Sequence, residues 1–482
     1  MTHVTSTPLI SRRTMLRATA AVGTVGAFGV DTVLPAPPAA AAGSGYAHPG
    51  LLHTGTDLAR MKSKVTAGAA PHTAGYARLT ANRHAQRGWT PNPRTTITRG
   101  GSGQNYAILY NDIHAAYQNA LRYHVSGDAA HADTAVAILN AWSAELSTLA
   151  GNADRFLAAG LYGYQFANAA ELVRAHPDFE LDRFKEMLSG VFAPLSDSFL
   201  VQHNGAVVSN YWTNWDLAAM ACVLATGIFC DDKAQVGRAV DYFKHGAGLG
   251  SIKNAIPVVH DDGLAEWLEA GRDQGHALLG VGLMGTFCEM AWNQGIDLYG
   301  YDDSRFLKGA QYVAKWSMGG EVPFTANTRA KGAVNGWSGS ETVAGAAGAD
   351  PGMTRPIWAM IANHYTKRRG LSASYLTRIA AKSSPEGGGG DYGPNSGGYD
   401  QLGFGTLAFT RDRSTPSGAA PDPRPQTDAS ASASTTPASG KDLAATGSTD
   451  VVAWSATAGL TAVAGGLLLL RRRDKAPRGN AD

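Results

Sequence analysis

The sequence predicts an all-α fold, an (α/α) toroid or incomplete barrel of antiparallel helix pairs, with a short C-terminal β element. Three observations predict it. Apolar residues recur at spacings of three and four in segment after segment between positions 106 and 369. Short polar turns separate these segments. An alternating strand pattern is nearly absent until Phe404–Thr410. Helices with no strands between them exclude a doubly wound sheet, and there are more amphipathic segments than a four-helix bundle consumes. With 482 residues, 44% hydrophobic and 17% charged, the chain is long enough to bury a large core.

In chain order, His48-Pro49-Gly50-Leu51-Leu52 leads into a first helix that Thr56 is placed to cap. The pattern over Tyr106–Val125 is the first long one, stopped by Ser126-Gly127. Helices are then expected over Asp133–Leu149, Asp154–Ala175, Asp182–Leu200, Asn214–Phe229, Lys233–Phe243, Gln274–Trp292, Ser304–Trp316 and Pro356–Arg369. The glycine run from Glu386 to Asn395 is read as a loop, and Phe404–Thr410 as a closing strand.

The two ends carry addresses rather than fold. Ser11-Arg12-Arg13-Thr14-Met15-Leu16, an Ala- and Gly-rich apolar run and an alanine tract resemble a twin-arginine export signal spanning 1–42. The folded domain is expected over 43–413. From 414 to 442 the chain is Pro, Ser, Thr and Ala, the composition of a disordered linker. Leu443-Ala444-Ala445-Thr446-Gly447, an apolar stretch at 451–470 and Arg471-Arg472-Arg473 follow in the order of an LAxTG sorting signal within 443–482. Sortase and peptidoglycan are the partners this implies. The cell surface of a Gram-positive bacterium is the expected location, with membrane contact only through the sorting helix before cleavage. A plain tail anchor is the alternative, since 451–470 is long enough to span a bilayer.

Composition also excludes functions. The formal charge is +2 with no basic stripe, which gives no support for nucleic acid binding. The three cysteines, Cys222, Cys230 and Cys288, lie in apolar segments with no framework spacing and read as buried free thiols. The pairs Asp231-Asp232, Asp261-Asp262 and Asp302-Asp303 follow no calcium-loop spacing, and His260 has no second histidine at zinc spacing. No metal and no cofactor are assigned.

Chemistry concentrates in Trp267-Leu268-Glu269-Ala270-Gly271-Arg272-Asp273-Gln274-Gly275-His276, at the entrance of an apolar run that needs no charge to form a core helix. On a helix Arg272 and His276 share a face, with Glu269 one turn earlier. A guanidinium there can hold an anion beside an imidazole able to move a proton. The bland reading is an internal Glu269–Arg272 pair with a core histidine. A second cluster, Ser209-Asn210-Tyr211-Trp212-Thr213-Asn214-Trp215-Asp216, offers rings and amides suited to sugars, or simply a capped helix. The third holds Gln104-Asn105-Tyr106 and Asn111 to Asn119, where Asn111, His114 and Gln118 share one unusually polar helical face that lines a groove or is simply solvated.

SNYWTNWDLA, EAGRDQGHALLG, AWNQGIDLYGYDD and PEGGGGDYGPNSGG, with the HPGLLHT entry, resemble the alginate-lyase-like polysaccharide lyases from about His48 to Arg413. The resemblance implies an (α/α) toroid and metal-independent β-elimination on an anionic, uronate-containing polysaccharide. Asn214 then corresponds to a carboxylate-neutralising asparagine assisted by Arg272, and His276 is the candidate base with His260 in reserve. Tyr211 is the candidate acid, with Tyr106, Tyr301 and Tyr392 as alternatives. Asn105, Tyr106, His114, Trp215, Trp267 and Glu269 are the expected substrate-binding residues. Where toroidal lyases often carry His after this Asn, the chain has Trp215. Two other functions fit the same residues. One is a glycoside hydrolase using Asp112 and Glu269. The other is a wall-anchored carbohydrate-binding protein that stacks sugars on Trp212, Trp215 and Trp267.

Overall fold

The computed structural model describes residues 45–393 and 398–414. The expected export signal, the expected sorting signal with its apolar stretch at 451–470, and all but the first residue of the expected linker lie outside the described residues. Among the described residues no helix is long and apolar enough to cross a membrane.

Helix α1 (Gly55–Thr66) starts at Thr54, not Thr56: the Thr54 hydroxyl accepts from the Asp57 amide while the Asp57 carboxylate accepts from the Thr54 amide. After α2 (His72–Ala81) comes a short strand, β1 (Thr96–Thr98). Helix α3 (Tyr106–Ser126) ends at Gly127, whose φ of 80° is a conformation that glycine takes without a Cβ clash. Asp128 caps α4 (Ala129–Glu145), which stops short of Leu149 because Thr148–Ala150 is spent on β2, paired parallel to β1. Helix α5 (Asp154–Glu171) is followed by α6 (Leu181–Met187), a π-helical turn at Leu188–Phe192, and α7 (Ala193–Gln202).

Helix α8 (Thr213–Phe229) is followed by α9 (Lys233–His245), which the Asp232 carboxylate caps by accepting from the Gln235 amide. A one-turn α10 (Ile252–Ala255), then α11 (Gln274–Asn293) and α12 (Tyr301–Ser317), complete the central part. An antiparallel hairpin of β3 (Asn327–Gly332) and β4 (Ser338–Val343) departs from the expected all-helical order. The remaining helices are α13 (Trp358–Asn363), α14 (Ser374–Ser383) and α15 (Gly405–Ala408). The β element is therefore the hairpin at 327–343. Phe404–Thr410, expected as a strand, instead carries α15, with Phe404 in a left-handed conformation.

The inner helices form a ring. Helix α3 packs on α5, α5 on α8, α8 on α11, α11 on α13 and α13 on α15, and α1 and α2 close the circuit back to α3. From α3 to α13 neighbours in this ring run parallel, whereas α2 lies antiparallel to α15, with His72 at Thr410 and Gly75 at Leu407. His114 of α3 meets Gln165 of α5, and ten residues on His124 bonds the Leu172 carbonyl. Gly160 and Gly163 of α5 lie against Ala218 and Cys222 of α8. Gly282 and Gly285 of α11 lie against Ile357 and Ile361. The outer helices run back antiparallel: Asn119 bonds His131 while Asp112 bonds Trp142 across α3 and α4. The long inner helices therefore all begin on one side of the ring, and the polar clusters stand there. Cys222 and Cys288 are buried free thiols, and Cys230 is half-buried.

Candidate active site

The site is built on the entrances of α8 and α11. Trp267 to His276 is not one continuous helix. Leu268–Gly271 makes a tight 3₁₀ turn, Asp273 is extended (φ −169°, ψ 160°), and only then does α11 begin. Arg272 and His276 therefore do not share a helical face. They meet because the break folds Arg272 back over the helix start, with Nη2 3.2 Å from His276 Nε2.

Glu269 is the anchor. Its side chain is completely buried, and its carboxylate takes the Thr213 hydroxyl, the Asn214 amide at 2.5 Å, the Asn214 backbone N–H at 3.3 Å and Arg272 Nη1 at 2.9 Å. A buried carboxylate is tolerated only with such a full set of donors. It locks the start of α8 to the start of α11. Asp273 does the same for the imidazole: one oxygen caps α11 by accepting from the His276 amide at 2.8 Å, and the other takes Nδ1–H at 2.7 Å. Burial pushes the Asp273 carboxyl up, but the His276 hydrogen bond and the nearby Arg272 charge together hold it below its ordinary value. With Nδ1 as donor, Nε2 is the acceptor that faces Arg272.

An open cleft of about 420 Å³ lies between Trp212, Gly271 and Arg272 on one wall and Glu341–Gly345, from the end of β4, on the other. Trp212 is nearly buried, with Arg329 stacked 4.1 Å from its ring centre and Arg272 at 5.7 Å. Tyr211 packs on Phe199 and Trp215, and its hydroxyl accepts from Asn204 Nδ2 at 3.0 Å.

Asn214, Arg272, His276 and Glu269 are thus one hydrogen-bonded group, with Tyr211 on the adjoining segment. Of the other expected substrate contacts, Trp267 and His114 are corrected, and the rest stand as follows. Trp267 is fully buried against Gly280, so no sugar can stack on it. His114 is fully buried, and burial holds its ring neutral with the pKa lowered to about 3. Glu269 reaches the cleft only through Arg272, while Asn214 is buried beside it. Asn105 is spent on the backbone, its side chain bonding Thr98 and Thr96. Trp215 stacks at 5.8 Å on Phe199. Tyr106 lies under Arg99, 5.0 Å from its ring centre, in a separate cluster with Tyr110 and Tyr162.

The reserve residues are engaged elsewhere. His260 stands 3.6 Å from Glu266, Tyr301 packs on Phe243, and the Tyr392 hydroxyl bonds Asp400 and Gln401. Sequence alone assigns no role to three residues of the site: Asp273, Thr213 and Arg329. Only Asp273 gave a signal, an Asp just ahead of an apolar helix being a common cap.

The hydrolase alternative loses its carboxylates. Asp112 is buried, accepting from the Trp89 and Trp142 indoles and the Asn92 amide, and Glu269 is buried as well. No curated protein sequence matches the chain significantly. Solved structures similar to it include two alginate lyases. An alginate lyase from Bacteroides ovatus is 15% identical over 56% of this chain and 84% of that one, with a TM-score of 0.44. Alginate lyase A1-III from Sphingomonas species A1 is 16% identical over 60% of this chain and 81% of that one, with a TM-score of 0.41. A sequence model of the alginate lyase family matches residues 61–324, more than half of the chain. The chain belongs to the alginate lyase family.

Proposed function

We propose that this polysaccharide lyase cleaves an alginate-like uronate polymer by metal-independent β-elimination in the cleft beside Arg272. The observation that carries the reading is the hydrogen-bonded group itself: amide, guanidinium and imidazole, fixed against each other by two carboxylates. A uronate carboxylate makes its neighbouring C–H only weakly acidic, so the dianion that forms on proton loss has to be stabilised. Arg272, assisted by the Asn214 amide, supplies donors for that charge. A carboxylate arriving at Arg272 draws Nη2 toward itself, and His276 Nε2 then receives the C5 proton. Asp273 stabilises the imidazolium that results. Tyr211 is the assigned acid for the leaving oxygen, by its position next to Trp212 in the cleft wall.

The carbohydrate-binding alternative is less well supported. Trp212 is covered by guanidinium groups and Trp267 is buried, which leaves few ring faces for sugars. The test is ultraviolet absorbance of the unsaturated product from a panel of uronate polymers. Asn214→Ala and His276→Ala should each lower kcat by about 10²–10⁴-fold with polymer binding retained. Near-wild-type turnover in either variant removes that residue from the mechanism.

The proposal extends to location. The twin-arginine pattern at Arg12-Arg13 and the Leu443–Gly447 sorting pattern support export and covalent attachment to peptidoglycan through Thr446 by a sortase. Thr446→Ala should then leave the enzyme out of the purified wall fraction, and Arg12→Lys with Arg13→Lys should hold it in the cell. Wall-linked enzyme in the first variant excludes the sortase route.

A further inference from the structure

Trp337 is 70% exposed, and among the described residues no other tryptophan is exposed. It closes the turn of the β3–β4 hairpin, where its carbonyl accepts from the Ala333 amide at 2.9 Å. The hairpin is tied down along its length. Gly332 pairs with Val207, Val334 with Gly205, and Ser209 Oγ donates to the Ala330 carbonyl. Arg329 Nη1 bonds the Ser209 and Asn210 carbonyls at 2.9 and 2.5 Å. The indole is therefore mounted on a fixed support that continues directly into Tyr211 and Trp212.

Register sets which way it faces. Arg329 pairs with Glu341 and Lys331 with Gly339, so these side chains share one face of the hairpin. That is the face of Val343 and Glu341, which line the cleft. A Cβ on Gly339 would stand 3.3 Å from the Trp337 ring, so the indole lies over this face at Gly339. Glu341 stands two residue steps along the strand from Gly339, about 7 Å. Lys331 reaches along the same face, Nζ 3.6 Å from a Glu341 carboxylate that Arg329 also holds.

An exposed aromatic plane beside an ammonium group, in line with a cleft, suits one ligand chemistry: a sugar ring stacking by its C–H face and carrying a carboxylate. We infer that the hairpin extends the substrate groove, with Trp337 as the stacking platform for a uronate unit outside the cleavage site and Lys331 as the partner of that unit's carboxylate. The inference rests on the lyase reading above and adds the element that selects long chains over short ones. An indole left in water contributes nothing to folding, whereas one stacked on a sugar contributes affinity.

The test compares Trp337→Ala, Trp337→Phe and Lys331→Gln in the full chain on polymeric substrate and on the shortest oligomer that is cleaved. Trp337→Ala should raise the polymer KM about tenfold with kcat unchanged, and leave both constants for the short oligomer alone. Trp337→Phe should restore most of the polymer affinity. Lys331→Gln should weaken polymer binding, measured by affinity electrophoresis, and lessen its dependence on salt.

If wild type cleaves polymer and Trp337→Ala cleaves it with the same KM, the platform is wrong and the lyase reading stands. If wild type gives no unsaturated product yet binds uronate polymer through Trp337, the reaction is wrong and the platform stands. Equal losses on long and short substrates, or no polymer binding by wild type, overturn the platform.

Discussion

Asp273 and His276 are joined twice, one carboxylate oxygen accepting from the His276 backbone amide and the other from its ring. The two bonds serve different ends, and substitution separates them. Asparagine caps a helix about as well as aspartate but carries no charge. Asp273→Asn should therefore keep the melting temperature and the polymer KM, while kcat falls about 10²-fold because the imidazolium loses its counter-charge. Asp273→Ala should lose both kcat and about 1 kcal/mol of stability. Unchanged kcat in Asp273→Asn would mean that the carboxylate is only a cap.

Gly160 allows α5 to approach α8 closely. A Cβ there would stand 2.6 Å from the Ala218 carbonyl carbon and 2.9 Å from its oxygen, which is backbone and cannot rotate away. Gly160→Ala should cost roughly 1–3 kcal/mol and lower the thermal midpoint. Gly237→Ala is the control: on the exposed side of α9 its Cβ meets nothing within 4 Å, so it should gain up to about 1 kcal/mol from helix propensity. Equal midpoints for the two variants, read by circular dichroism, would show that the ring tolerates looser contact.

Acid should destabilise the fold through its buried histidines. Burial lowers His53 to about 4, His84 to about 4 and His114 to about 3, from an ordinary 6.5. Each contributes stability that is complete above pH 6.5 and is lost as pH falls toward the folded value, because the unfolded ring takes up a proton first. Glu386, pushed up to about 7 by burial, acts in the opposite sense and loses its contribution as pH rises through that range. Three groups oppose one. The melting temperature should fall between pH 6.5 and 4.5, with net proton uptake on unfolding. A midpoint that is level or rises over that interval contradicts the assignment.

The helical ring was legible because its helices are long and periodic: α3 and α11 end within a residue of where the apolar spacing stops. The hairpin was not legible, since Asn327–Gly332 and Ser338–Val343 hold mostly polar and small residues and pair with each other over largely exposed surface. Phe404–Thr410 has the β-branched and aromatic content of a strand, yet Phe404 turns left-handed and the segment coils beneath α2. At the site, the charged cluster was visible as an excess of polar groups at a helix entrance. The extended Asp273 was not, and it alone decides how Arg272 reaches His276. Burial misled for Trp267 and His114 because residue type does not tell which face of the chain is turned inward.

The parallel ring has an electrical consequence. In α3, α5, α8 and α11 the positive ends, each about half an elementary charge, stand on the cleft side, while the returning helices lie outside them. The macromolecule is nearly neutral by formal count, at +2, yet it presents a permanent polarity that no side chain has to move to create. Such a field draws a polyanion toward one mouth of the ring and fades with ionic strength. Encounter with an acidic glycan is thus favoured by the direction in which the backbone runs.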